Sequence, residues 1–412
     1  MRIPERFPDK QFRSRRARHM HFRPRKLWLF CLATVLAVLA VPAIGELQRL
    51  PNWHSVCALQ FSPDGQVLVA GLYDGRAYNE DFHYRLADMG QTIALFDSHT
   101  GKRSDNLAQF RYPGPFSGIP STPLGRFLAF SPDGSLLAIA TWDGTVQLWD
   151  WRTRRLNQTL RSQTEYMRAV AFSSGGRYLL AGGRSGSWLW DTQGSVAGSF
   201  VDATGSATKI AGAPNSNLLA IADRHSPWVE LLNCDSGTKT RVEPGKSYGA
   251  LSISFSPNGR SLAIGGTESV LIWNLDDHAK QFEVASHWTQ DLAFSPDGKV
   301  LTAAGADGVR SWNVDTGEPN QVVPYQQHAS SLAYSADGTL LAVGGYAGEI
   351  AVWQVATKRL LWSGGVTGPS RGFHPFTVAA GITLIILAVL AIWRTAGPPD
   401  SARSPAPTSG SE

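Results

Sequence analysis

The string Phe-Ser-Pro-Asp-Gly at residues 61–65 returns in near copies down the chain, and no other feature restricts the fold as strongly. The copies read FSPDG at 61–65, 130–134 and 294–298, FSSGG at 172–176, GAPNS at 212–216, FSPNG at 255–259 and YSADG at 334–338. Their first positions are separated by 69, 42, 40, 43, 39 and 40 residues, a period near forty with one long insertion in the first unit. Such a period means a single structural unit used seven times, because one unit alone cannot bury its apolar face and must stack on its neighbours.

Each unit explains its own conformation. Pro presets its backbone angle, Asp bonds nearby backbone groups and Gly accepts the exit conformation, so the string forms a tight turn. Apolar residues alternate with others before it, as in RAVAF, and a short apolar run such as LLAIA follows. Runs of this length predict strands and not helices. A second Gly-containing turn leads to a third strand ending in an aromatic, as in DGTVQLWD at 143–150, and a polar fourth strand such as RRLNQTL at 154–160 closes the unit.

Four short antiparallel strands at a forty-residue period describe a β-propeller blade. At this point the chain resembles the WD-repeat propeller family, through the turn string and the pairs Trp149-Asp150 and Trp190-Asp191. Looser versions stand at Trp273-Asn274, Trp312-Asn313, Trp353-Gln354 and Phe96-Asp97. The resemblance covers residues 46–364 and implies an all-β, seven-bladed propeller of four-stranded antiparallel blades. The chain departs from the family in its polar network. No Gly precedes His54, His287 or His328, and a His accompanies a turn Asp only in the first blade (His54, Asp74) and the sixth (His287, Asp307). Most blades are therefore expected to rely on apolar packing, at about 1.5–3 kcal/mol for each large side chain buried.

Residues 27–44 and 376–393 carry no charge and are long enough to span a bilayer as helices. Ten Lys or Arg against Glu5 and Asp9 in residues 1–26 predict a cytoplasmic N-terminal arm, which puts the propeller outside the cytoplasm and residues 394–412 back inside it as a disordered tail. Residues 27–44 read either as a retained anchor or as a cleavable signal segment with small residues at Ala43 and Gly45. Residues 365–375 form a linker short enough to hold the ring near the lipid bilayer. Outside the basic arm and the tail after Trp393, 26 Lys plus Arg face 29 Asp plus Glu, so a nucleic-acid partner is not expected.

Strings that suggest chemistry fail on context. Gly245-Lys246-Ser247 lacks the earlier Gly and the strand-to-helix setting of a phosphate loop. Ser370, in GPSRG at 368–372, stands in the linker, without the strand and helix that hold a hydrolase nucleophile. Glu80, Asp81 and His83 lack the convergent ligands of a zinc site. Asn157 heads a glycosylation acceptor pattern with Thr159. Asp74, Asp143 and Asp307 precede Gly and read as turn formers. Cys57 and Cys234 fall in opposite blades, too far apart to join, and are expected as buried thiols. No catalytic residue, metal or cofactor is expected.

The departures from the average repeat point to a binding surface. Residues 74–90 are inserted between the second and third strands of the first unit, and the link at 105–125 is also long. Both leave the same side of the ring. They bring together Tyr78, Phe82, His83, Tyr84 and Arg85 with Phe110, Arg111, Tyr112 and Phe116, a mixture of aromatic and Arg side chains favoured at binding hot spots. The bland alternative is that the aromatics fold back as a local cap. The expectation is a non-catalytic, membrane-tethered scaffold for a protein or peptide, with an extracytoplasmic enzyme using the central channel as the alternative. The outer strand of the last blade is expected from residues 358–362 or from residues 46–50.

Overall fold

The computed structural model describes residues 53–78, 85–112, 126–163, 166–193, 198–201, 207–243 and 249–365. Contacts divide the chain into residues 1–52 and 53–412, and every described residue belongs to the second unit. Both long apolar segments lie outside the described residues, among which no helix is long and apolar enough to cross a membrane.

The turn string works as its chemistry dictates. Ser Oγ donates to the acceptor two residues on at 2.5–2.7 Å in five copies, Ser62–Asp64, Ser131–Asp133, Ser256–Asn258, Ser295–Asp297 and Ser335–Asp337. The same Oγ accepts from the N–H that opens the next strand, as Val67 N does at 3.0 Å and Leu340 N at 2.9 Å. The closing glycines, including Gly65 and Gly338, sit at φ near +72°, where a side chain is strained. These hydrogen bonds hold the carboxyls of Asp64, Asp133, Asp297 and Asp337 below the usual range.

Strands on either side of each turn pair antiparallel into seven sheets, so the fold is an all-β, seven-bladed propeller. The blades occupy residues 53–112, 128–161, 169–201, 209–242, 252–285, 291–313 and 329–365. Second strands such as Leu136–Ala140 and Leu340–Gly345 read as unbroken apolar runs because both of their faces are covered by neighbouring blades. Fourth strands such as Ala279–Ala285 are mostly exposed.

Six of the blades have four strands, whereas blade 6 has three, Asp291–Phe294, Val300–Gly305 and Gly308–Asn313. Its fourth position is taken by an irregular segment containing Pro319 and Pro324, which lack the N–H a ladder needs. That segment still covers the edge, with Asn320 N donating to Ser311 O at 2.7 Å and Val309 N to Tyr325 O at 2.9 Å. Tryptophans of the repeat add little polar bonding. Among the described residues, the indole N–H groups of Trp190, Trp273 and Trp353 are buried without a partner, and an exposed His287–Asp307 contact at 3.3 Å represents the His–Asp pairing in blade 6.

Apolar clusters cover every seam between blades, including the one that closes the ring. There Val56, Leu59, Leu68 and Phe96 of blade 1 meet Leu340, Ile350, Val352 and Trp362 of blade 7. Trp362 stacks on Phe96 with ring centroids 6.1 Å apart and donates to Ser98 O at 2.9 Å. The outer strand of blade 7 is Arg359–Gly365, paired to Glu349–Gln354, and blade 1 is complete from Trp53 to Tyr112. Residues 46–50 are therefore not required for that place, and side chains, not a shared strand, close the circle.

Candidate functional site

In blade 1 the second and third strands, Val67–Tyr78 and Arg85–Asp97, outrun those of the other blades. Pairing continues past Asp74↔Gly90, through a bulge, to Tyr78↔Arg85. The insertion expected as a loop over 74–90 is thus mostly a hairpin that lengthens the sheet beyond the rim. Of the nine residues expected to form the partner surface, Tyr78 and Arg85 form the last described pair of this hairpin. Phe82, His83, Tyr84 and Phe116 lie outside the described residues.

Phe110, Arg111 and Tyr112 belong to the fourth strand, Arg103–Tyr112. Arg111 is exposed, while Phe110 and Tyr112 are half-buried against the core. Tyr112 Oη donates to Gln91 Oε1 at 3.0 Å and accepts from Trp142 N at 3.1 Å, and Gln91 Nε2 donates to Ala140 O at 3.2 Å. Trp142 stacks on Tyr112 at 5.6 Å and donates from Nε1 to Tyr73 Oη at 2.8 Å. Burial pushes both phenols above their ordinary range, so they stay protonated and bond as neutral groups. The result is a satisfied polar and aromatic base that ties blade 1 to blade 2 directly under the extended hairpin.

The central channel holds a second constellation, which the sequence reading did not find. Arg126 leads into the inner strand of blade 2 and reaches across to blade 6. Its Nε donates to Asp291 Oδ1 at 2.8 Å, its Nη2 lies 2.8 Å from the same oxygen, and Nη2 also donates to Leu292 O. The other carboxylate oxygen of Asp291 accepts from Ser331 Oγ at 3.2 Å and Leu332 N at 3.0 Å, both in blade 7. From blade 4, Lys209 donates to Gln290 O at 3.3 Å. Blades 2, 4, 6 and 7 are thereby cross-tied over the axis.

Asp291 is 6% exposed and Arg126 31% exposed. Burial lowers the Lys209 ammonium to about 8, with Asp291 opposing that shift and Arg126 adding to it. On the side of the Ser-Pro-Asp-Gly turns the channel opens into a cavity of about 380 Å³ with Arg126, Gln60, Ser254 and the small residues Ala129, Ala171 and Ala211 in its wall. A signal was present in the sequence: Arg126, Lys209 and Asp291 stand three or four residues before the turn string, Lys209 and Asp291 on inner strands and Arg126 just ahead of one.

Elsewhere the side chains read as structure. Asp143 accepts from Thr141 Oγ1, Thr145 N and Thr145 Oγ1 as a turn former. Cys57 and Cys234 are free and buried, and desolvation raises each thiol to about 12. Asn157 is exposed on the outer strand of blade 2. Among the described residues no group of three or more His, Cys, Asp or Glu is placed to hold a metal ion. Residues 80–83, Lys246 and Ser370 lie outside the described residues.

Comparison with known proteins agrees with this architecture. Residues 45–78, 126–150, 154–191 and 318–354 match the family described as WD domain, G-beta repeat. These matches agree with the ring of seven blades, and the chain resembles WD-repeat β-propellers in both respects. It is similar to Transcription initiation factor TFIID subunit 5 of Caenorhabditis elegans, at 28% identity over 53% of this chain and 35% of that protein. Pre-mRNA-processing factor 19 of the same organism is 23% identical over 52% of this chain and 46% of its own length. SEC12-like protein 2 of Arabidopsis thaliana is 26% identical over 34% and 38%. The chain spans less than half the length of each of these relatives.

Proposed function

We propose that this chain is a non-catalytic, membrane-tethered WD-repeat propeller that presents a protein- or peptide-binding surface on the extracytoplasmic side. WD-repeat propellers are generally scaffolds for protein interactions, and a rigid ring suits that use because it fixes variable segments in space. The observation that carries the reading is the Tyr78↔Arg85 pairing, which extends blade 1 past the rim over the Tyr112–Gln91–Trp142 base. Backbone held in a paired sheet has less freedom to lose on binding than that of a free loop.

The tether rests on the two uncharged segments 27–44 and 376–393 and on the basic arm before the first. The first segment acts in this reading as a retained anchor, the second as the return helix. Trp53 begins the inner strand of blade 1 opposite Gly75, and Gly365 ends the outer strand of blade 7 opposite Glu349. Both ends of the ring therefore leave on the side of the blade 1 hairpin.

Proximity labelling from the propeller in intact cells tests compartment and neighbours together. The reading expects extracytoplasmic proteins, with one neighbour lost when Phe82 and Tyr84 are changed to Ala in a ring whose melting is unchanged. Labelling of cytosolic proteins alone would overturn the topology. Full capture of that neighbour by the double variant would overturn the surface.

A further inference from the structure

Charge in the channel does not balance. Arg126 and Lys209 bring two cations to one carboxylate, Asp291, and Asp291 is already saturated by Arg126, Ser331 Oγ, Leu332 N and Leu292 N. Lys209 is 7% exposed, and its hydrogen bond to Gln290 O is the single one it makes among the described residues, although an ammonium carries three protons. Arg126 spends Nε and Nη2 on blade 6, while its Nη1 makes no hydrogen bond among the described residues. A buried cation without a counter-charge is costly, and an anion that reaches it recovers that cost.

Arg126, which interacts with Lys209, lines the cavity on the side of the Ser-Pro-Asp-Gly turns. Its wall is thin because the residue just before the turn string is small in blades 2 to 5, namely Ala129, Ala171, Ala211 and Ser254. Arg126 forms part of that wall. Lys209, two residues before Ala211 on the same strand, is not part of the wall and acts through its interaction with Arg126 and Asp291. At about 380 Å³ the space is at the small end of ligand sites, suited to one acidic group and its carbon chain and not to a folded domain.

We propose that this mouth of the channel is a carboxylate-binding site, in which Arg126 grips the ligand through Nη1 and Lys209 supplies the uncompensated charge beneath it. Guanidinium groups match carboxylates in shape and charge, and the low-polarity channel strengthens the attraction. The site is on the opposite side of the ring from the blade 1 hairpin and is independent of it.

Isothermal titration calorimetry of the detergent-solubilised full chain decides the matter, with succinate as the first probe and chloride as the reference at fixed ionic strength. A hexa-alanine peptide with a free C-terminal carboxylate, paired with its amidated form, is the second. Saturable binding of either free acid above chloride is expected. Succinate binding points to free acids as ligands, and binding of the peptide acid alone points to a chain terminus or acidic side chain; each upholds the site. Lys209→Met is expected to weaken binding at least tenfold while melting at or above the wild-type temperature. Ala211→Leu, which fills the mouth and leaves the charges, is expected to abolish binding. If Lys209→Met does not fold, Ala211→Leu alone decides. Absence of binding by both probes, equal binding of the amidated peptide, or wild-type binding by the folded variants would overturn the assignment.

Discussion

Replacing Asp291 by Ala removes the one group on which the cross-channel tie converges. The carboxylate is 6% exposed and accepts from Arg126, Ser331 Oγ, Leu332 N and Leu292 N. Its loss strands Arg126 as a second unpaired cation beside Lys209 and leaves two backbone N–H groups without acceptors. Removing one partner of a buried pair costs about 3–5 kcal/mol, and the 31% exposure of Arg126 sets the expectation at the lower end, about 3 kcal/mol. For a domain of this size that is a fall of roughly 6 °C in melting temperature. The assay is thermal and urea unfolding followed by circular dichroism in a double-mutant cycle with Arg126→Met. The pair should show a coupling above about 1.5 kcal/mol, because the double variant no longer leaves an unpaired arginine. A single-variant loss under about 0.5 kcal/mol, or additive effects, would refute the argument that the tie holds the ring across its axis.

Trp362→Ala opens the closing seam by removing the stack on Phe96 and the bond to Ser98 O, and should cost about 3 kcal/mol in urea unfolding. Lys209→Met should stabilise the ring at pH 7, by up to about 3 kcal/mol. Between about 8 and the ordinary 10.5 the unfolded chain binds a proton that folded Lys209 has lost, so wild-type stability from this group rises with pH and the advantage of Lys209→Met shrinks in that window. The turn aspartates also make stability rise with pH, but in the acid range. Their lowered carboxyls contribute stability above the ordinary value of 3.8 and lose it as the pH falls through their folded values, so the melting temperature should drop below about pH 4.

Most of the ring is legible because its determinants are local. Ser62 to Gly65 encode a turn whose hydrogen bonds close within six residues, and second strands announce their double-sided burial by unbroken apolar runs. The same reasoning misses what depends on residues far apart in the chain. Arg126 and Asp291 are 165 positions apart, and nothing near either one specifies that they meet over the axis. Tyr112 reads as a surface aromatic until Gln91 and Trp142 are brought beneath it. The hairpin of blade 1 escapes notice because its sequence, with Gly75 and Gly90 inside it, interrupts the apolar alternation that marks a strand. The missing fourth strand of blade 6 could have been read from Pro319 and Pro324, which remove two ladder donors from that stretch.

The central claim is that the residues from Trp53 to Gly365 close a seven-bladed ring by packing blade 7 on blade 1. Deleting residues 1–52 and recording thermal unfolding by circular dichroism tests it most directly. The truncated chain should unfold cooperatively within about 2 °C of the full chain, since a ring already complete loses no strand. A broad, early transition in the truncated chain would contradict the account, because it would show that the circle is held by a segment before Trp53.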